Sequence, residues 1–196
     1  MLERIWQDHR VFLGDAPKRD IVAVFYSTKD KFTGTHELTS NIAGIYDGKV
    51  RMPIPDRPNW ETIRRIMSHE AAHAFLFDIG GPDIPLWLNE GLAELLAQGP
   101  DRPTPSLDYA LGKNEPLVKI RELTDTLKNL KNNTSAALAY DESFSIANFI
   151  HGRFGVFGIR RFLRAFKEGK SEEDAIRTQL FMTPDILQQS WKAKLK

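Results

Sequence analysis

Residues 59–80 constrain the fold most, because their pattern requires one long helix. Residues on one face recur at three- and four-residue spacing, namely Ile63, Ile66, Met67, Glu70, Ala74 and Phe77. Asn59 is a favourable N-cap, and the glycines and proline at 80–82 predict the helix end. A second helix is predicted over residues 85–98, so a short turn returns the chain beside the first helix.

The chain before this helix pair has β character. Residues 21–26 form a continuous β-prone run, and residues 41–54 predict further strand broken at the turn pair Asp47-Gly48. A helix is predicted over 2–13. After the pair, the Pro- and Asp-rich stretch 100–116 predicts a loop, and helices are predicted over 117–131, 135–154, 157–168, 171–180 and 183–195.

These elements predict one α+β domain over residues 1–196. Residues 1–58 would form a mainly β part, residues 59–99 a metal-binding helix pair, and residues 100–196 a helical part. We expect a small β-sheet whose edge strand packs on the first helix of the pair, followed by the helical C-terminal region.

Composition excludes several classes of function. Of the 196 residues, 41% are hydrophobic, which is enough to bury a core. The absence of cysteine excludes disulfides, Cys-ligated zinc fingers and a thiol nucleophile. The net charge of +1 gives no reason to expect a nucleic-acid partner. The sequence predicts neither a signal peptide nor a membrane span.

His69 and His73 lie four residues apart on the first helix, so both side chains leave the same face. That spacing lets two imidazoles bind one Zn²⁺ ion. Glu70 projects beside the metal, where it could hold and deprotonate a zinc-bound water. The alternative is a helix whose histidines are surface residues or hydrogen-bonded core residues.

The second helix offers the third ligand that a catalytic zinc requires. Glu90 and Glu94 lie one turn apart on one face, so one can bind the metal while the other accepts a hydrogen bond from a ligand imidazole. The alternative, a solvated acidic stripe, does not explain their apolar surroundings. Gly91 costs about 1 kcal/mol relative to alanine inside a helix, so we expect it to allow close approach of the two metal-bearing helices.

Together these two motifs resemble the gluzincin superfamily, which includes thermolysin-like and M1-type aminopeptidase-like enzymes. The nearest likeness is to compact bacterial peptidase MA-like domains. The resemblance implies a zinc-dependent metallopeptidase with one Zn²⁺ per chain, bound by His69, His73 and Glu90. It also implies Glu70 as the general base and Glu94 as the partner of a ligand histidine. A bacterial cytoplasm, or an extracytoplasmic site for a trimmed chain, would both suit such a domain.

Tyr140 begins a further similarity to the M1-type enzymes, in which a tyrosine at the corresponding place stabilises the oxyanion of the tetrahedral intermediate. The resemblance implies that role for Tyr140, since a phenol can donate to developing negative charge. The alternative is a half-buried aromatic residue that only packs.

The β region lacks the Gly-x-Met-Glu-Asn-like segment whose glutamate binds the free amine of a substrate in M1-type enzymes. In its place, residues 41–46 include Ala43 and Gly44 and predict an edge strand that could pair with an extended peptide. Endopeptidase action is therefore favoured over aminopeptidase action.

The expected partner is a peptide or protein substrate, and an inhibitory or activating protein could also bind. The second hypothesis is a catalytically inactive or latent zinc-binding module, for which residues 100–116 are a candidate lid. The third is a metal-free helical domain.

Overall fold

The computed structural model describes residues 1–36, 42–130 and 133–195. Its elements, in chain order, are α1 (Leu2–Leu13), β1 (Ala23–Tyr26), α2 (Lys29–His36), β2 (Ile45–Tyr46), β3 (Val50–Pro53), α3 (Trp60–Gly80), α4 (Leu86–Gln98), α5 (Pro105–Gly112), α6 (Ile120–Lys128), α7 (Asn133–Lys167), α8 (Glu172–Gln179) and α9 (Pro184–Lys194). α7 is kinked at Gly155. The predicted α+β class is confirmed.

The strands form a sheet in the order β1-β3-β2. β2 and β3 pair antiparallel around Asp47-Gly48, as predicted, whereas β1 pairs parallel with β3. β2 therefore lies at an edge of the sheet. Val50 and Met52 of β3 are buried with Ile63 and Met67 of α3, which confirms that the sheet packs on that helix.

Residues 29–36, for which the sequence predicts no element, form α2, which is anchored by the fully buried Phe32. One prediction about local structure is wrong. The stretch 100–116 is not a continuous loop, because Pro105 begins α5 and Leu107 and Ala110 of that helix are buried. Residues 41 and 131, at the ends of a predicted strand and helix, lie outside the described residues.

The larger core surrounds α3, α4 and α7. A Cβ atom on Gly91 would lie 2.2 Å from the carbonyl oxygen of Ser143 on α7. The prediction that Gly91 serves the approach of α3 and α4 is therefore wrong, because the tight contact is between α4 and α7. In the described part of the chain, no helix is both long and apolar enough to cross a membrane.

Candidate metal centre

His69, His73 and Glu90 meet at the bottom of a cleft, where α3 and α4 face each other. Asn59 caps α3 by accepting a hydrogen bond from the Thr62 N–H, and the chain then turns at Gly81 into α4. His69 Nε2 lies 3.3 Å from one Glu90 carboxylate oxygen, and His73 Nε2 lies 3.9 Å from the other.

The three groups each offer a ligand atom, and these atoms lie within 4.8 Å of one another. A tetrahedral zinc ion with bonds of about 2.1 Å holds its ligand atoms about 3.4 Å apart. Small side-chain rotations would bring the three atoms to that spacing. Two imidazoles and one carboxylate also form a donor set that suits Zn²⁺, so the residues fit the expected ion.

The outer nitrogen of each imidazole faces an oxygen. His73 Nδ1 lies 3.2 Å from the side-chain oxygen of Asn89 and can donate a hydrogen bond to it. His69 Nδ1 lies 3.0 Å from Glu94 Oε1, although it falls outside hydrogen-bond geometry and the contact is electrostatic. Both contacts leave Nε2 facing Glu90. The structure brings Glu94 beside His69, and the role of Glu94 as the partner of a ligand histidine stays a prediction.

Asn89 was missed by the sequence reasoning, although it belongs to the motif that pointed to Glu90. The available signal was its position directly before Glu90 on the same helix. Adjacent helical residues project in directions about 100° apart, so the two side chains can reach different sides of one histidine. Glu90 can then face the metal position while Asn89 reaches the outer side of His73.

The buried charges favour a cation at this place. Burial opposes a charge on His69, but Glu90 and Glu94 outweigh it and raise the pKa of His69 to about 10. Burial disfavours the ionised form of Glu90, yet its contacts with His69 and His73 hold its pKa below the ordinary value. Burial lowers the pKa of His73, and the nearby Glu90 offsets this lowering only in part. A metal ion can take the place of the proton as the positive charge among these carboxylates.

Glu70 also faces the cleft, and its side chain is buried. Burial raises the pKa of Glu70 to about 7, with His69 opposing the rise and Glu90 and Glu94 adding to it. A carboxyl group whose pKa is near neutrality can both accept and return a proton. A Cβ atom on Gly44 would lie 2.9 Å from Glu70 Cγ, so the chain just before β2 packs directly on this carboxyl group.

The cleft has a volume of about 460 Å³ and separates β2 from the candidate metal ligands. Tyr140 of α7 and Phe77 of α3 also line it. Burial raises the pKa of Tyr140, as do Glu90, Glu70 and Glu94, so its hydroxyl stays protonated as a hydrogen-bond donor. Gly44 lines the cleft, whereas Ala43 is exposed beside it, and both precede β2 instead of lying within it.

Residues 100–116, the candidate lid, do not contribute to the described lining of the cleft. In this segment, α5 packs on α7. Arg102 of this segment contacts Glu94, a link that the sequence reasoning also missed. The segment therefore contacts α4 through Arg102 and α7 through α5.

A family model described as the peptidase MA superfamily matches residues 49–196. The chain belongs to the peptidase MA superfamily. No curated protein and no solved structure matches it. The matched part runs from the β2–β3 turn to residue 196, so it includes α3, α4 and Tyr140. Membership confirms the family resemblance of the two motifs and supports peptidase chemistry for the domain.

Proposed function

We propose that this chain is a zinc-dependent metallopeptidase that hydrolyses peptide bonds in the cleft between β2 and α3. The convergence of His69, His73 and Glu90 beside the buried Glu70 carries the proposal. A structural zinc site is closed by four protein ligands, whereas a catalytic site keeps one position for water or substrate. Among the described residues this cluster offers three ligands, and they face the cleft.

A bound Zn²⁺ ion supplies Lewis acidity, which makes water a stronger acid and polarises a carbonyl group. Glu70 lines the cleft, and in this proposal it takes a proton from the attacking water and returns it to the leaving amine. Tyr140 lines the same cleft, and in this proposal it donates a hydrogen bond to the carbonyl oxygen as negative charge develops there. Glu94 and Asn89 hold the two imidazoles in orientation.

We infer that the substrate is an extended peptide that lies along β2. This strand pairs with β3 on one side and, among the described residues, has no strand on its other side. An edge strand can add an extended peptide through main-chain hydrogen bonds. The described lining of the cleft holds no carboxylate on the β2 side that would bind a free substrate amine, which favours internal peptide bonds as the site of cleavage.

The test is cleavage of a peptide library by the zinc-loaded chain. We expect Glu70→Gln to lower the cleavage rate by about 10²–10⁴-fold, the usual contribution of a general base, while the variant still binds one zinc. Glu61→Gln is the matched control, because Glu61 is an exposed residue in the first turn of the same helix. A chelator should abolish cleavage by the wild-type chain.

Cleavage by Glu70→Gln at the wild-type rate would refute the assigned role of Glu70. Stoichiometric zinc with no cleavage of any peptide would instead support the alternative, a zinc-binding module that holds a peptide or a protein partner without hydrolysing it.

A further inference from the structure

Arg102 lies between α4 and α5 and joins two buried carboxylates. Its Nε lies 2.8 Å from Glu94 Oε2, and its Nη1 lies 2.8 Å from Asp141 Oδ1. The guanidinium also lies over the Phe144 ring, 4.9 Å from the centroid. The Arg102 side chain is only 14% exposed, so this ion pair differs from the exposed pairs that contribute little.

We propose that Arg102 is a positioning residue that sets the metal affinity of the centre by holding Glu94 against His69. This inference rests on the proposed metal-binding function. It concerns a residue outside both sequence motifs, contributed by a segment that does not line the cleft.

The two oxygens of Glu94 have different partners. Oε1 faces His69 Nδ1 at 3.0 Å, while Oε2 accepts from Arg102 and from the side-chain amide of Gln98. A carboxylate that is held at one oxygen cannot rotate freely at the other. Arg102 therefore fixes the direction in which Glu94 meets the imidazole, and that contact orients Nε2 toward the metal position.

Arg102 is itself anchored from the other side. Asp141 is buried, and its second oxygen accepts hydrogen bonds from the Ser106 and Leu107 N–H groups in the first turn of α5. The guanidinium is thus held between one fixed carboxylate and the carboxylate that touches the ligand histidine. Because Asp141 directly follows Tyr140 on α7, the same contacts tie α4 to the helical turn that carries Tyr140.

Loss of Arg102 has a defined consequence at the centre. Glu94 would keep Gln98 but lose the guanidinium that holds its Oε2 while it stays buried, and it would be free to turn away from His69. Mutation of residues that orient metal ligands typically costs 10–100-fold in metal affinity. A purely structural ion pair would lower the stability of the chain and leave its metal affinity unchanged.

The test measures zinc affinity by competition with a chromogenic chelator for wild type, Arg102→Met and Arg102→Lys. We expect Arg102→Met to bind zinc about 10–100-fold more weakly and to change the visible spectrum of the Co²⁺-substituted chain. Arg102→Lys keeps the charge but cannot bridge both carboxylates, so its zinc affinity should lie between that of wild type and that of Arg102→Met. Arg64→Met is the control, because Arg64 pairs with Asp8 on the exposed side of α3.

Coupling between Arg102 and Glu94 separates positioning from a general loss of structure. In a Glu94→Gln background, Arg102→Met should weaken zinc binding much less than it does in the wild-type chain. Wild-type affinity and an unchanged Co²⁺ spectrum in Arg102→Met would overturn the inference, as would equal effects in both backgrounds. If Arg102→Met does not fold, Arg102→Lys decides, and wild-type affinity in that variant would overturn the inference.

The outcome also separates this inference from the proposed function. A wild-type chain that binds zinc and cleaves peptides, with unchanged zinc affinity in the Arg102 variants, overturns the inference alone. A wild-type chain that binds zinc but cleaves no peptide overturns the peptidase proposal, while weaker zinc binding by Arg102→Met would still support the inference. A wild-type chain that binds no zinc overturns both.

Discussion

Replacement of Gly91 by alanine tests the packing that supports α4, the helix that carries the candidate ligand Glu90. A Cβ atom there would lie 2.2 Å from the Ser143 carbonyl oxygen and 3.0 Å from Ala147 Cβ. Ordinary carbon–oxygen contacts begin near 3.3 Å, so α4 and α7 would have to separate by roughly 1 Å. The obstacle is backbone and cannot rotate away.

The expected change in the free energy of unfolding combines two opposing effects. Alanine is a better helix former than glycine by about 1 kcal/mol. Overpacking costs about 1–3 kcal/mol, and a clash with backbone belongs at the upper end of that range. We therefore expect Gly91→Ala to lose about 2 kcal/mol of stability. Because Glu90 directly precedes Gly91 and Glu94 lies about one helical turn after it, zinc should also bind at least about tenfold more weakly.

Urea unfolding followed by circular dichroism measures the change, with the slope of the transition used to check that both variants unfold alike. Gly152→Ala is the matched control, since Gly152 is an exposed residue of α7 with no atom within 4 Å of a built Cβ. That variant should gain up to about 1 kcal/mol. Stabilisation of Gly91→Ala to the same extent would refute the tight contact between α4 and α7.

Three further predictions concern pH, the oxyanion and the general base. Burial raises the pKa of Glu142 to about 7 from 4.5, although the Val118 N–H and Lys192 oppose the rise. The contribution of Glu142 to the free energy of unfolding is thus complete below pH 4.5. As the pH rises through 7 that contribution is lost, and the free energy of unfolding falls by about 3 kcal/mol. Glu142→Gln should lose much of this pH dependence in urea unfolding at pH 5 and pH 8, and an unchanged dependence would contradict the assignment. Tyr140→Phe should lower kcat by about 10²-fold with zinc content unchanged, and an unaltered kcat would show that Tyr140 only packs. Gly44→Ala should lower kcat by displacing Glu70, which its Cβ would approach to 2.9 Å; equal rates for the variant and wild type would show that the contact gives way harmlessly.

The convergence of the candidate metal ligands could be predicted because their geometry is local. Helical periodicity alone places His69 beside His73 and Glu90 beside Glu94, and the short turn before α4 brings the two helices together. Arg102 could not be predicted in the same way. Its partners lie 8 and 39 residues away in the sequence, and the contacts depend on how the chain turns between α4 and α5.

In the β region too, one strand pairing could be predicted from the sequence and another could not. The antiparallel pairing of β2 and β3 follows from Asp47-Gly48, whereas the parallel pairing of β1 and β3 depends on non-local contacts. α2 contains Thr33 and Gly34, which are poor helix formers, so tertiary packing of Phe32 overrides local propensity. For α5, Pro105 at the first helical position was an available signal, but the Pro-rich surroundings concealed it.

Native mass spectrometry of the zinc-loaded chain tests most directly whether His69, His73 and Glu90 share one ion. We expect one zinc per wild-type chain, and loss of stoichiometric zinc in Glu90→Ala with little change in secondary structure by circular dichroism. Glu115→Ala, a substitution at an exposed residue between α5 and α6, should keep the zinc. A wild-type chain without zinc, or a Glu90→Ala chain that retains it at wild-type affinity, would contradict the assignment of the metal centre.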